Sequence, residues 1–272
     1  MPAHARCLAR ALLALGAVWL TQPAWADDPP AAADAALRGW LEGRDLLRDL
    51  GYLRDHALQI AGQQGCARDL AGALREALNP NVLFENTVER LVDAEAAALL
   101  PPVEAFTHTP LGLRIATADR ERPQLDDDDA WRTGAIQLRQ TPPDPGRAAR
   151  IERVARASQD AELWSNAESR LRSVLRDACL PAATGGRSQQ ELAMLDAIDA
   201  AQGVQRRMHF LTTLSVVLYE GYRPLSDADL DAYAAFLESP EATRWLEARN
   251  AAIVGVLEAV VRELIPPAPV PL

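Results

Sequence analysis

Apolar residues recur at threes and fours along most of this chain, and alternation of apolar with polar residues is nearly absent. That spacing is the period of one helix face and predicts an all-α fold. It is clearest at Leu192, Leu195, Ile198, Val204, Met208, Leu211, Leu214 and Leu218, which predict a helix over 188–222 opened by a Ser188/Glu191 capping box. A second long segment carries Trp245, Leu246, Ile253, Leu257, Val260, Val261 and Leu264 and stops at Pro266-Pro267. Both patterns are amphipathic and need a partner surface. Shorter ones predict helices over 35–61, with Asp34 as N-cap, and over 67–78, 82–100, 111–120 and 148–178.

Residues 122–147 change character. Pro123, the run Asp126 to Asp129, Gly134, Pro142, Pro143, Pro145 and Gly146 read as an exposed, Pro/Asp-rich linker. It separates a first helical unit, 27–121, from a second, 148–265, within which residues 181–187 form another break around Gly185-Gly186. Residues 266–272 read as a disordered tail.

The two units share a motif. Phe106, Thr109, Pro110, Gly112 and Arg114 match Phe236, Ser239, Pro240, Ala242 and Arg244 at identical spacing, so the chain reads as a duplicated helical bundle, two related multi-helix units packed together. Thr109 and Ser239 are expected to be N-caps, with Pro110 and Pro240 at the first helical position, where a missing N–H costs nothing. The phenylalanines end the preceding helix on its buried side, and the small Gly112 and Ala242 allow a close approach. Arg114 and Arg244 are placed to reach the carbonyl end of the preceding helix, or an acid such as Glu104 or Asp231. The rival role is an anionic ligand, and the unsatisfied carbonyls of a capped corner favour the structural one.

The stretch Ser226-Asp227-Ala228-Asp229-Leu230, followed by Tyr233-Ala234-Ala235-Phe236 and Ser239-Pro240, resembles the exported bacterial proteins of domain-of-unknown-function family 2059. The likeness is clearer over about 195–264 and weaker over about 74–120. Leu237 and Ala242 stand where an aromatic and a glycine are common; the first copy keeps Gly112 but has Thr109 for serine and adds Pro101-Pro102. The resemblance implies a helical exported domain of the Gram-negative envelope and carries over no catalytic residue.

The N-terminus agrees with export. His4, Arg6 and Arg10 precede the apolar stretch Ala11 to Leu20, and Ala24-Trp25-Ala26 closes a signal peptide over 1–26. An apolar run of about ten residues is too short to span a membrane, so no stable anchor is expected after cleavage. The remaining chain holds 26 arginines against 38 acidic residues, a net charge of −12. Such a surface repels phosphate backbones, so nucleic acid is not expected as a partner. The chain contains no lysine, which excludes Schiff-base, P-loop and Ser-x-x-Lys chemistry. Cys66 and Cys179 are expected to pair in an oxidising compartment, closing a loop that stabilises by about 4–5 kcal/mol; the rival, a catalytic thiol, has only His56 near it in sequence.

Other constellations fail. His56, His108 and His209 lack metal-ligand spacing, and Asp126 to Asp129 lacks the alternating ligands and closing glutamate of a calcium loop, so no metal or cofactor is assigned. Trp40, Trp131, Trp164 and Trp245 read as inter-helix anchors, with a tryptophan-lined groove as the rival. The patterns point to a periplasmic protein, with secretion as the alternative. It is read as non-catalytic, binding a protein or another envelope component through helix surfaces or the cleft between copies. The competing reading is a hydrolase whose site is assembled from both helical units. A hydrolase predicts a pocket where a histidine meets acids; a binding module predicts an apolar groove.

Overall fold

Prolines set much of the helix punctuation, since a residue without N–H fits the first turn and not the interior. The computed structural model describes residues 29–43, 46–93, 96–122, 128–179 and 189–264. The expected signal peptide, Ser188, the 181–187 break, the 266–272 tail, Asp126 and Asp127, and the side chains of Asp128, Asp129 and Trp131, lie outside what is described.

Among the described residues the elements are α1 (Pro29–Gly43), α2 (Leu46–Gln63), α3 (Arg68–Ala77), α4 (Pro80–Asp93), a 3-10 turn (Ala96–Leu99), α5 (Leu100–Thr107) and α6 (Pro110–Glu121). They continue with α7 (Asp128–Gln140), α8 (Pro145–Ala157), α9 (Asp160–Cys179), α10 (Gln189–Gly221), α11 (Asp227–Leu237) and α12 (Pro240–Glu263). The fold is all-α, as the periodicity requires. Five of these helices begin at a proline.

Five expectations are corrected. The 82–100 helix closes at Asp93, and a 3-10 turn over Ala96–Leu99 follows before α5 begins. The 35–61 helix is two, α1 and α2, and Asp34 lies inside α1, where its carboxylate pairs with Arg38 at 2.9 Å instead of capping. The 148–178 helix breaks at Ser158 and Gln159, and Gln159 takes a left-handed φ of 57°. The linker is not an exposed loop throughout, because α7 occupies its middle and packs on α10. Pro123 lies outside the described residues; Pro142, Pro143 and Pro145 follow that helix rather than interrupt it, and Gly134 sits where an added Cβ would lie 3.1 Å from Val216 Cγ1. Finally, the apolar stripe of α10 is buried only in its C-terminal half. Leu211, Leu214 and Leu218 are buried, whereas Met194, Ile198, Val204 and Met208 are 44–69% exposed.

One hydrophobic core runs from Leu37 to Val261, so the units do not have separate interiors. Helix α12 packs against both α4 and α9, and α2 does the same. The two sequence halves therefore interleave. Cys66, beyond α2, is bonded to Cys179 at the end of α9, with Cα atoms 4.6 Å apart across 113 positions. No described helix is long and apolar enough to cross a membrane.

Candidate functional site

The matched motif forms two corners with the same local geometry. Thr109 and Ser239 are extended (φ −71°, ψ 158° and φ −64°, ψ 149°), and their hydroxyls accept from Gly112 N at 3.0 Å and Ala242 N at 3.3 Å. The corners face each other. The rings of Phe106 and Phe236 stack with centroids 3.7 Å apart and planes 6° from parallel. Gly112 answers to its own corner, since a Cβ there would lie 2.2 Å from Phe106 O.

Arg114 and Arg244 do not reach the preceding helix. Arg114 Nη1 and Arg244 Nε donate to the carbonyls of Pro110 (3.3 Å) and Pro240 (3.2 Å), one turn back in their own helices. Arg114 also pairs with Asp229 of α11, not with Glu104. Asp231 is occupied by Arg150 at 2.9 Å, one rung of a ladder in which Arg147, Arg150 and Arg153 of α8 bind Asp227, Asp231 and Glu238. That ladder holds α11 against α8, and Arg147 Nη2 donates to Tyr222 O at 2.7 Å, fixing the tyrosine at the end of α10.

Behind the corners lies a cavity of about 100 Å³. Its apolar wall includes Trp40 from α1, Tyr233, Phe236 and Leu237 from α11, and Ala242 and Trp245 from α12. Trp40 and Trp245 meet edge to face with centroids 5.0 Å apart. The polar wall is Arg48 and Asp49 from α2, Asp119, Arg120 and Arg122 from α6 and its end, Ser158 and Asp160 at the α8–α9 break, Tyr222, and Arg249. Arg120 is exposed, so this wall reaches the surface.

The charges are unevenly satisfied. Arg249 Nη2 pairs with Asp160 at 2.8 Å and also donates to Asn250, whose amide donates to Gln159 O at 3.2 Å. Asp119 accepts the Tyr222 hydroxyl proton at 2.7 Å and lies 3.6 Å from Arg122 Nε. Burial, then the Asp119 charge, pushes the Tyr222 phenol well above its usual range. Asp49 makes no hydrogen bond among the described residues. Burial raises it to about 6; Asp160 adds to the rise, while Arg122, Arg48 and Arg249 oppose it. The buried Nε of Arg122 and the buried indole N–H of Trp245 have no acceptor among the described residues.

The histidines fall elsewhere. His56 Nε2 lies 3.1 Å from Glu168 Oε2, which Arg172 also binds at 2.7 Å, and the His56 ring stacks on Tyr52. Burial pushes Glu168 up, but the hydrogen bonds of His56 and Arg172 outweigh it and hold the carboxyl at about 2. His108 and His209 are exposed, and none of the three lines the cavity. Among the described residues no group of three or more His, Cys, Asp or Glu is placed to hold a metal ion.

No protein-family model, curated protein or solved structure matches this chain. Sequence signals single out Trp40, Tyr233, Phe236, Leu237, Ala242 and Trp245 of the lining but none of its charged residues. A signal for two of them was present. Asp49 falls beside the stripe Leu46, Leu50, Leu53 and Ala57, and Arg249 falls between buried Trp245, Leu246, Ala252 and Ile253 at offsets of three and four.

Proposed function

We propose that the protein is an exported, non-catalytic binding protein of the bacterial envelope whose ligand occupies the polar cavity between its interleaved units. The observation that carries this is the cavity itself, walled on one side by aromatic rings and on the other by seven charged side chains. Pockets that combine an apolar body with a few polar groups are the usual form of small-ligand sites. The hydrolase reading asked for a histidine among acids, and the acids of this cavity have arginines and a tyrosine beside them instead.

Export and periplasmic residence are supported by the basic, apolar and small-residue pattern of the first 26 positions and by a disulfide, which persists in oxidising compartments. Membership of domain-of-unknown-function family 2059, and origin of the units by duplication, belong to the same proposal. They are supported by the Ser-Pro corner and by the matching cap geometry of its two copies.

Native mass spectrometry of the chain purified from its export compartment tests the binding. A small non-covalent adduct on the wild type, lost in Ala242→Leu or Ser158→Leu proteins of unchanged far-UV circular dichroism, supports the cavity as the site. An adduct retained by both blocked variants, or none on the wild type, overturns it.

A second reading has its own observation. Met194, Ile198, Val204 and Met208 expose an apolar stripe on α10, the kind of helix surface that docks an apolar helix of another envelope protein. Ile198→Glu and Val204→Glu would release such a partner without loss of stability; a partner retained by both variants would dismiss the surface.

A further inference from the structure

We propose that the cavity is a site for a small zwitterion of the α-amino-acid class, its ammonium group on Asp49 and its carboxylate on Arg122. This rests on the cavity reading above and names the ligand's chemistry.

Size sets the first bound. A cavity of about 150 Å³ holds benzene, with six carbons. One of about 100 Å³ suits five or six non-hydrogen atoms at most, the size of glycine or alanine. The second bound is the inventory of unmet polar groups. Asp160 is taken by Arg249, and Asp119 by the Tyr222 hydroxyl. What remains among the described residues includes a carboxylate without a hydrogen bond, Asp49, and the buried N–H groups of Arg122 and Trp245, which have no acceptor there.

Neither half of a zwitterion answers that inventory alone. A simple anion would satisfy the N–H groups, and the arginines of the wall attract it, but it would leave the Asp49 carboxylate without a donor. A simple cation would satisfy Asp49 and leave Arg122 and Trp245 as they are, and buried donors without acceptors are costly. A molecule of about six atoms carrying both charges at once meets each of them.

Asp49 is the discriminating group. The charges that act on it come from four elements: Arg48 on its own helix, Arg122 at the end of α6, Asp160 at the start of α9 and Arg249 on α12. A bound ammonium adds a cation to that set and favours the ionised carboxylate, so binding weakens as pH falls below about 6.

Isothermal titration of the disulfide-intact mature chain with glycine and L-alanine, and separately with acetate and methylammonium, tests the assignment. An amino acid is expected to bind at least about tenfold more tightly than either half-ligand. Asp49→Asn is expected to lose about tenfold or more of that affinity while remaining folded by circular dichroism. Acetate binding as tightly as alanine, wild-type alanine affinity in Asp49→Asn, or no amino-acid binding at about 10 mM overturns the proposal. A different adduct seen by native mass spectrometry, with no amino-acid binding, would sink the ligand class and leave the cavity reading standing.

Discussion

Replacing Asp49 by asparagine is expected to make the protein more stable at neutral pH. The carboxyl titrates near 3.8 in an unfolded chain and at about 6 in the folded one, because desolvation in the cavity wall, reinforced by Asp160, disfavours its charge more than Arg122, Arg48 and Arg249 favour it. Between those values the folded state holds a proton that the unfolded state has released, so this group's contribution to stability falls as pH rises through the window. Above about pH 6 its full cost applies. A displacement of about two pK units corresponds to about 3 kcal/mol. Relaxation and the partly open wall beside Arg120 reduce this to about 2 kcal/mol. Asparagine keeps the shape and removes the charge. Urea unfolding should therefore show Asp49→Asn about 2 kcal/mol more stable than wild type at about pH 7.5, and level with it at about pH 4. A variant less stable than wild type at the higher pH would mean that the ionised carboxylate is well solvated or paired, and the cavity argument would fail with it.

Glu168 shows the opposite sign. Its folded value of about 2 lies below the ordinary 4.5, so its contribution is complete above about pH 4.5 and is lost as pH falls towards 2. Glu168→Gln should cost about 2 kcal/mol at neutral pH and progressively less in acid, followed by urea midpoints across that range. Serine at Cys66 and Cys179 should lower stability by about 4 kcal/mol, and reduction of the wild type should reproduce that loss in thermal melts. Gly112→Ala should destabilise by about 2–3 kcal/mol, because the new methyl would meet backbone atoms of Phe106 and Thr107 that cannot swing aside. Ala242→Gly at the matching corner should cost only about 1 kcal/mol.

The fold was legible where the signal is local. Helical period, Ser or Thr before Pro, and paired cysteines each act within a few residues or through a single bond, and the helices, corners and disulfide follow them. Where two local rules competed, the reading went astray. Proline and aspartate density outweighed the short apolar pattern of α7, although Pro142, Pro143 and Pro145 lie beyond its end. Ala148 to Ala178 carries an unbroken helical period, and nothing in it announces that Gln159 turns left-handed. The α10 stripe misled in another way, since period reports which residues share a face and not whether that face meets a neighbour.

The cavity was hidden for a different reason, and that reason bears on what it is for. Its charges come from helices far apart in sequence, and each alone reads as an ordinary solvated residue. Together they hold free energy against folding. Asp49 is ionised at neutral pH in spite of its desolvation, Arg122 and Trp245 keep N–H groups without acceptors among the described residues, and Gln159 adopts a strained φ between the cavity-lining Ser158 and Asp160. Packing alone gives no account of this concentration. Apolar side chains of similar volume would fill the same space at no loss of stability, or with a gain. Costs gathered around one opening, from elements that otherwise pack with buried apolar faces, are the physical mark of a site shaped for something that enters it.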